Sequence, residues 1–302
     1  MTVNMSADSG VVADVDAPPS ASACTRAPTA KAPGEPANGN PRGFDASLLP
    51  WPDISRGLDS AGYAVVNGLI DPAQCEAIGS MYDEGNPQSS GGRVAFRSSD
   101  PDLFDSPAEP QTKSRFRSRV VMERYGFGRG EYQYFSYPLP AIVATLRQSM
   151  YPHLRVIANT WNERMGIDTR YPADHAEFIA RCHAAGQLRP TPLLLKYGPG
   201  DYNCLHQDLY GEHVFPLQMT VLLSEPGRDF EGGEFVITEQ RPRMQSRPMV
   251  VRLNQGDAVI LAVHHRPVQG TRGTYRVNLR HGVSELRSGL RYTMGVVFHD
   301  AT

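Results

Sequence analysis

The chain is short of several things, and each shortage narrows its chemistry. It has four cysteines in 302 residues, Cys24, Cys75, Cys182 and Cys204. None forms a C-x-x-C pair, and a chain this long needs no covalent staples, so they read as reduced thiols of a cytoplasmic protein. No apolar run reaches the roughly 18 residues that a membrane span requires. Met1 to Ala17 has neither a basic nor an apolar region of the secretory kind. Charge of one sign is lacking too: the formal net charge is −2, so no global field draws the protein to nucleic acid or membrane. There are no internal repeats, and no glycine-rich phosphate loop opens a helix.

What is present divides the chain in three. Residues 1–43 are rich in Ala, Pro, Ser, Gly and Asn; too few apolar side chains are there to offset the entropy of ordering, which predicts a disordered tail. Residues 44–190 read as a mixed α/β region that supports a core. A strand is expected at Gly62–Asn67, then a helix capped by Asp71-Pro72 with Cys75, Ile78 and Met81 on one face. Residues 86–110 read as loop. Helices follow over Leu139–Met150, from Pro152 to Met165, and from about Pro172 to Ala185. His175 and His183 are expected to face solvent or to cap. From Thr191 to the end, short strands alternate with turns. About eight of them, one at 203–209, predict two packed sheets in a jelly roll.

Gln111–Arg129 carries six basic residues and a single acid. Arg115, Arg117 and Arg119 alternate with Phe116, Ser118 and Val120, so a regular strand lines the three up on one face. Aromatics follow from Tyr125 to Phe135. Such interleaving suits a nucleic-acid strand, phosphates to arginine and bases to rings; the competing reading is a half-buried strand with a solvated face.

The chemistry centres on His206-Gln207-Asp208. In a strand, residues i and i+2 share a face, so an imidazole nitrogen and a carboxylate oxygen stand side by side. That is two thirds of a facial triad for non-haem Fe(II). Further along stand a Gly232-Gly233-Glu234 turn, His281, and Arg291 with Thr293, a guanidinium fork beside a hydroxyl that suits a carboxylate.

Taken in order, these elements resemble the Fe(II)/2-oxoglutarate-dependent dioxygenases, the prolyl-hydroxylase-like branch above all, over about residues 191–300. The resemblance implies an α+β fold: a double-stranded β-helix, or jelly-roll, core of about eight strands, with helices packed on it from the N-terminal half. It implies iron held by His206, Asp208 and His281. It implies 2-oxoglutarate held by Arg291, Thr293 and Tyr197, with O2 as co-substrate and ascorbate as auxiliary reductant. Decarboxylation to succinate is then coupled to hydroxylation, or to oxidative demethylation where the carbon is bonded to nitrogen. His264 and His265 compete for the distal ligand position; the ten-residue step to Arg291 favours His281. Gln218 and Thr220 are expected to face the cofactor, and His299 to lie on the surface.

The resemblance selects no substrate. No acid lies between Ala258 and Ser284, while Arg266, Arg272, Arg276 and Arg280 do. Together with Arg241 and Arg243 they predict a positive rim. Arg115, Arg117, Arg119, Arg241, Arg243, His264 and His265 are therefore the candidate substrate contacts. Alkylated nucleic acid, a protein side chain and a small molecule stay open, as does the oligomeric state. A different class, a non-oxidative cupin-like metal protein, needs a three-histidine-and-glutamate set that the spacing does not supply.

Overall fold

The computed structural model describes residues 44–84 and 114–302. The expected tail through residue 43, Cys24, the loop of 86–110 and Lys113 lie outside the described residues. The elements in order are α1 (Trp51–Ala61), β1 (Tyr63–Val66), α2 (Pro72–Glu84), β2 (Phe116–Val121), β3 (Gly128–Arg129), β4 (Glu131–Phe135), α3 (Ala141–Arg164), α4 (His175–Ala184), β5 (Leu193–Tyr197), β6 (Tyr202–His206), β7 (Leu217–Leu222), β8 (Phe230–Gly232), β9 (Phe235–Gln240), β10 (Arg247–Val251), β11 (Ala258–Ala262), β12 (His265–Gly270), β13 (Gly273–Val283), β14 (Leu286–Gly289) and β15 (Arg291–Val297).

Helix α2 begins where the sequence supplies a cap. Asp71 Oδ1 accepts from the Gln74 amide at 2.7 Å, and Gln74 Oε1 accepts from the Asp71 amide at 3.0 Å. This reciprocal pair satisfies two otherwise orphaned donors at the start of α2. Cys75, Ile78 and Tyr82 are then buried. The expected break at Pro152 does not occur: α3 runs through it for 24 residues. An internal proline costs a helix about 3 kcal/mol. Here the buried stripe of Val143, Leu146 and Met150 continues on the far side as Leu154, Ile157 and Trp161, and that shared packing outweighs the cost.

Two antiparallel sheets form the double-stranded β-helix. The larger has the order β1-β11-β7-β15-β5-β4-β2, the smaller β10-β9-β13-β6-β3, with β12 also on β13. Strands β7 and β11 are buried at every residue, as strands covered on both faces must be. From Leu193 onward there are eleven strands, β5 to β15, where about eight were expected; β8, β12 and β14 are the additions. Strands β1, β2 and β4, from the N-terminal half, extend the larger sheet. No helix of the described residues is long and apolar enough to cross a membrane.

The C-terminal end is a polar core rather than a surface. Arg147 of α3 donates to Val297 O at 2.8 Å and pairs with Asp300 at 2.8 Å. His299, expected on the surface, is fully buried, and His175, expected to face solvent or to cap, is buried at the start of α4 with Nε2 2.8 Å from Phe298 O. Burial outweighs a favourable backbone bond and lowers His175 to about 4. A terminus that threads under α3 and α4 buries whatever polar groups it carries.

Candidate functional site

His206 closes β6, and His281 lies near the end of β13; the two are Cα partners across the ladder. Their rings stand 4.3 Å apart. Gly282 permits this: a Cβ there would meet Asn203 O at 2.6 Å. The strand ends at His206, so Asp208 is not on it, as the expected strand over 203–209 required. The carboxylate is set instead by the loop that follows, and it turns back to the same spot. Asp208 Oδ1 lies 3.6 Å from His206 Nε2, and Oδ2 lies 3.4 Å from His281 Nε2. One ligand atom from each of the three residues falls within 4.8 Å of the others. His264 and His265 stand outside this cluster, on and beside β12.

The ring nitrogens are poised for a metal. His206 Nδ1 donates to Cys204 O at 2.8 Å, which leaves Nε2 as a lone pair toward Asp208. Burial, then the neighbouring His281, lowers the pKa of His206 and keeps the imidazole neutral. Burial by itself would raise Asp208. The hydrogen bond from His281, the charges of both histidines and the hydroxyl of Tyr210 outweigh it and hold the carboxyl well below its usual range. Two imidazoles and one carboxylate at this spacing suit a divalent cation such as Fe(II).

The second anchor is Arg291, opposite Tyr197 on the β15–β5 ladder. Arg291 is 1% exposed. Its Nη1 donates to Thr293 Oγ1 at 2.7 Å, its guanidinium lies 5.6 Å from the centre of the Tyr197 ring, and its Nε has no partner. Burial pulls it down to about 10, against Tyr197 and Glu234. Glu234 is itself engaged with Ser284 and Arg287. The Gly232-Gly233 turn makes room for the guanidinium stem. Gly233 has φ 60°, and a Cβ there would press on Leu286 at 2.7 Å and on Arg291 Cδ at 3.0 Å. A buried cation with an unused donor fits the distal carboxylate of 2-oxoglutarate.

Both anchors open on one cavity of about 360 Å³ between the sheets, also walled by Phe127, Tyr132, Tyr134, Tyr210, Gln218 and Thr220. Gln218 Nε2 lies 3.1 Å from His281 Nε2, and Thr220 lines the same cavity. Tyr210 was not singled out from the sequence. Its only signal there is a further step of two after Asp208.

The seven candidate substrate contacts do not line this cavity. The ladder shifts register between Phe116 and Ser118, and that bulge breaks the expected row of arginines. Arg117 lies over the Tyr134 ring, 4.3 Å from its centre, and donates to Pro190 O at 2.9 Å. Arg119 pairs with Glu131 on the opposite face of β4. Arg115 is exposed just before β2. Of the expected positive rim, Arg241 pairs with Glu239 at 2.9 Å, the buried Arg266 pairs with the same carboxylate, and Arg276 donates to Met165 O at 3.0 Å. Arg243 is an exposed turn residue with φ 63°. His265 is the Cα partner of Asn278, and the His264 and His265 rings lie 4.4 Å apart, tilted by 60°.

The chain matches one family model and is similar to several known proteins. A family model, Oxygenase-NA, described as "Oxygenase, catalysing oxidative methylation of damaged DNA", matches residues 130–301. Two uncharacterized proteins of Mycobacterium tuberculosis, MT2286 and Rv2227, are each 42% identical over 222 residues, covering 72% of this chain and 95% of theirs. Among solved structures, a Pseudomonas putida prolyl-4-hydroxylase is 11% identical, with TM-score 0.43 over 81% of this chain and 96% of its own. A Burkholderia pseudomallei oxidoreductase of the 2OG-Fe(II) oxygenase family is 12% identical, with TM-score 0.44 over 84% and 94%.

Proposed function

We propose, for a chain that belongs to the Oxygenase-NA family and is a 2-oxoglutarate- and Fe(II)-dependent dioxygenase, that the substrate is a damaged base in single-stranded or locally opened DNA. The family implies Fe(II), 2-oxoglutarate and O2. Bound together, these supply the oxidative decarboxylation of 2-oxoglutarate to succinate and the delivery of one oxygen atom to a substrate carbon.

The chain's own residues do the rest. His206, Asp208 and His281 would hold the metal on one side and leave its other positions toward the cavity. Arg291 and Thr293 would bind the far carboxylate of 2-oxoglutarate, with Tyr197 packed against the guanidinium. Burial of Arg291 excludes water from that contact and strengthens it. Tyr132, Tyr134 and Phe127 offer ring faces along the cavity wall to a flat substrate. Where the oxidised carbon is bonded to nitrogen, the hydroxylated product breaks down to an aldehyde and the unmodified base.

The observation that carries the substrate reading is at the mouth. Tyr125 and Phe127 are 63% and 48% exposed, yet they stack on each other with centroids 5.6 Å apart and planes 19° apart. Phe127 also lines the cavity. Exposed Arg124 and Arg129 flank them. Rings that meet water beside cations are a platform for bases with phosphates alongside. The same reading has ascorbate keep iron reduced, and places the protein in the cytoplasm, where the free Cys75, Cys182 and Cys204 stay thiols.

The test is incubation with Fe(II), 2-oxoglutarate, O2 and a single-stranded oligonucleotide carrying an N-methylated base. Formaldehyde should form in step with succinate, and the strand should lose the mass of one CH2 as N–CH3 becomes N–H. Succinate production with no mass change in any alkylated strand would overturn the DNA reading and leave the reaction class standing.

A further inference from the structure

Asp208 lies beyond the end of β6, where no ladder bond holds it, yet it is 8% exposed and aimed at both histidines. Something else places it. The Tyr210 hydroxyl donates to Asp208 Oδ1 at 2.6 Å, which leaves Oδ2 facing His281. Tyr210 is in turn fixed from behind. Gln187, fully buried before β5, donates to Tyr210 O at 3.1 Å and accepts from the His213 amide at 2.7 Å. Gly211, with φ 91°, lets that amide pack close: a Cβ there would meet Gln187 Cδ at 2.5 Å. On the cavity side, Tyr134 lines the same wall as Tyr210, and Arg117 covers the Tyr134 ring.

We propose that Tyr210 is the positioning residue of the metal site: it takes up Oδ1 of Asp208, presents Oδ2 as a single-oxygen ligand, and is itself braced by Gln187 and Tyr134. A carboxylate free to rotate offers a metal either oxygen or both, and spends conformational freedom on binding; one already clamped does not. Groups that orient a ligand in this way typically change metal affinity by about 10–100-fold when removed. The inference also gives Arg117 a place, as a brace at the outer end of the chain Arg117–Tyr134–Tyr210–Asp208 rather than as a substrate contact. It rests on the reading of His206, Asp208 and His281 as metal ligands.

The experiment is a titration of the full-length protein with Co(II), and with Fe(II) under anaerobic conditions, for wild type and Tyr210→Phe, with folding checked by circular dichroism. Tyr210→Phe should bind each metal about 10–100-fold more weakly. Its Co(II) absorption bands should also shift, which a merely structural role of the hydroxyl would not cause. Equal affinity and an unchanged Co(II) spectrum would overturn the proposal. Failure of the wild type to bind either metal would instead remove the metal reading beneath it. Should Tyr210→Phe not fold, Tyr134→Phe carries the same test: it leaves Tyr210 in place, several-fold weaker binding is expected, and unchanged binding counts against the brace.

Discussion

His206 and His281 are Cα partners across the antiparallel ladder of β6 and β13. Seventy-odd residues of chain separate them, and the ladder brings their rings to 4.3 Å. A metal at this point therefore reads the register of the two strands directly, since a slip of one residue would turn one imidazole to the other face.

The first expectation concerns that pair. His281→Ala should abolish the visible charge-transfer band that anaerobic Fe(II) and 2-oxoglutarate produce together, while His265→Ala should keep it. A band that survives in His281→Ala would move the distal ligand to another residue.

Arg291 separates stability from function. A buried cation with an unused donor is costly on its own, and replacing such a charge by an apolar side chain is often neutral or stabilising by roughly 1–4 kcal/mol. Arg291→Met should therefore melt, without added ligands, no lower than wild type, and should lose 2-oxoglutarate binding by at least about 30-fold, the scale of removing one partner of a buried charge pair. Calorimetric titration with 2-oxoglutarate and a thermal melt check both halves. A variant that melts lower and still binds contradicts the assignment.

Arg147→Met should do the opposite. It strands Asp300, which is 0% exposed and bonded to Arg147, Tyr137 and His183. Breaking a buried pair costs roughly 3–5 kcal/mol, which for a domain of this size lowers the melting temperature by about 6–20 °C. Fe(II) affinity of the folded fraction should stay as in wild type, because these residues do not line the metal cavity.

Acid should destabilise the fold before any carboxylate titrates. Burial lowers His175, His264 and His299 from 6.5 to about 4. Each is neutral when folded and takes a proton when unfolded, so the unfolded state binds more protons between these two values. The stabilisation is whole above pH 6.5 and is lost progressively as pH falls to about 4. Melting temperature should drop by several degrees from pH 7 to pH 5, and His299→Gln should flatten that slope. A flat profile in wild type would mean these histidines are charged in the fold.

Much of the site could be read along the chain. His206, Asp208, His281, Arg291, Thr293 and Tyr197 follow from the motifs together with the family they resemble, and the fold brings them to one cavity. The errors were of a single kind. The row of Arg115, Arg117 and Arg119 assumed a regular strand, and one bulge sent Arg117 and Arg119 to opposite faces. The positive rim is a count of arginines, and two of them, Arg241 and Arg266, are taken up by Glu239. His299 and His175 were placed outside because polar residues usually are, and the chain happened to run beneath two helices.

Residue chemistry and its order along the chain were sufficient for the reaction class, because a metal triad and a carboxylate fork need particular atoms, and few side chains supply them. The direction each side chain takes was another matter. That depends on where β6 stops, where β2 bulges, and which loop folds back under Tyr210. Those points are set by packing between segments far apart in sequence, among them Gln187 against Gly211 and β6 against Gly282. The clamp on Asp208 and the stacked rings at the mouth exist only once that packing is complete.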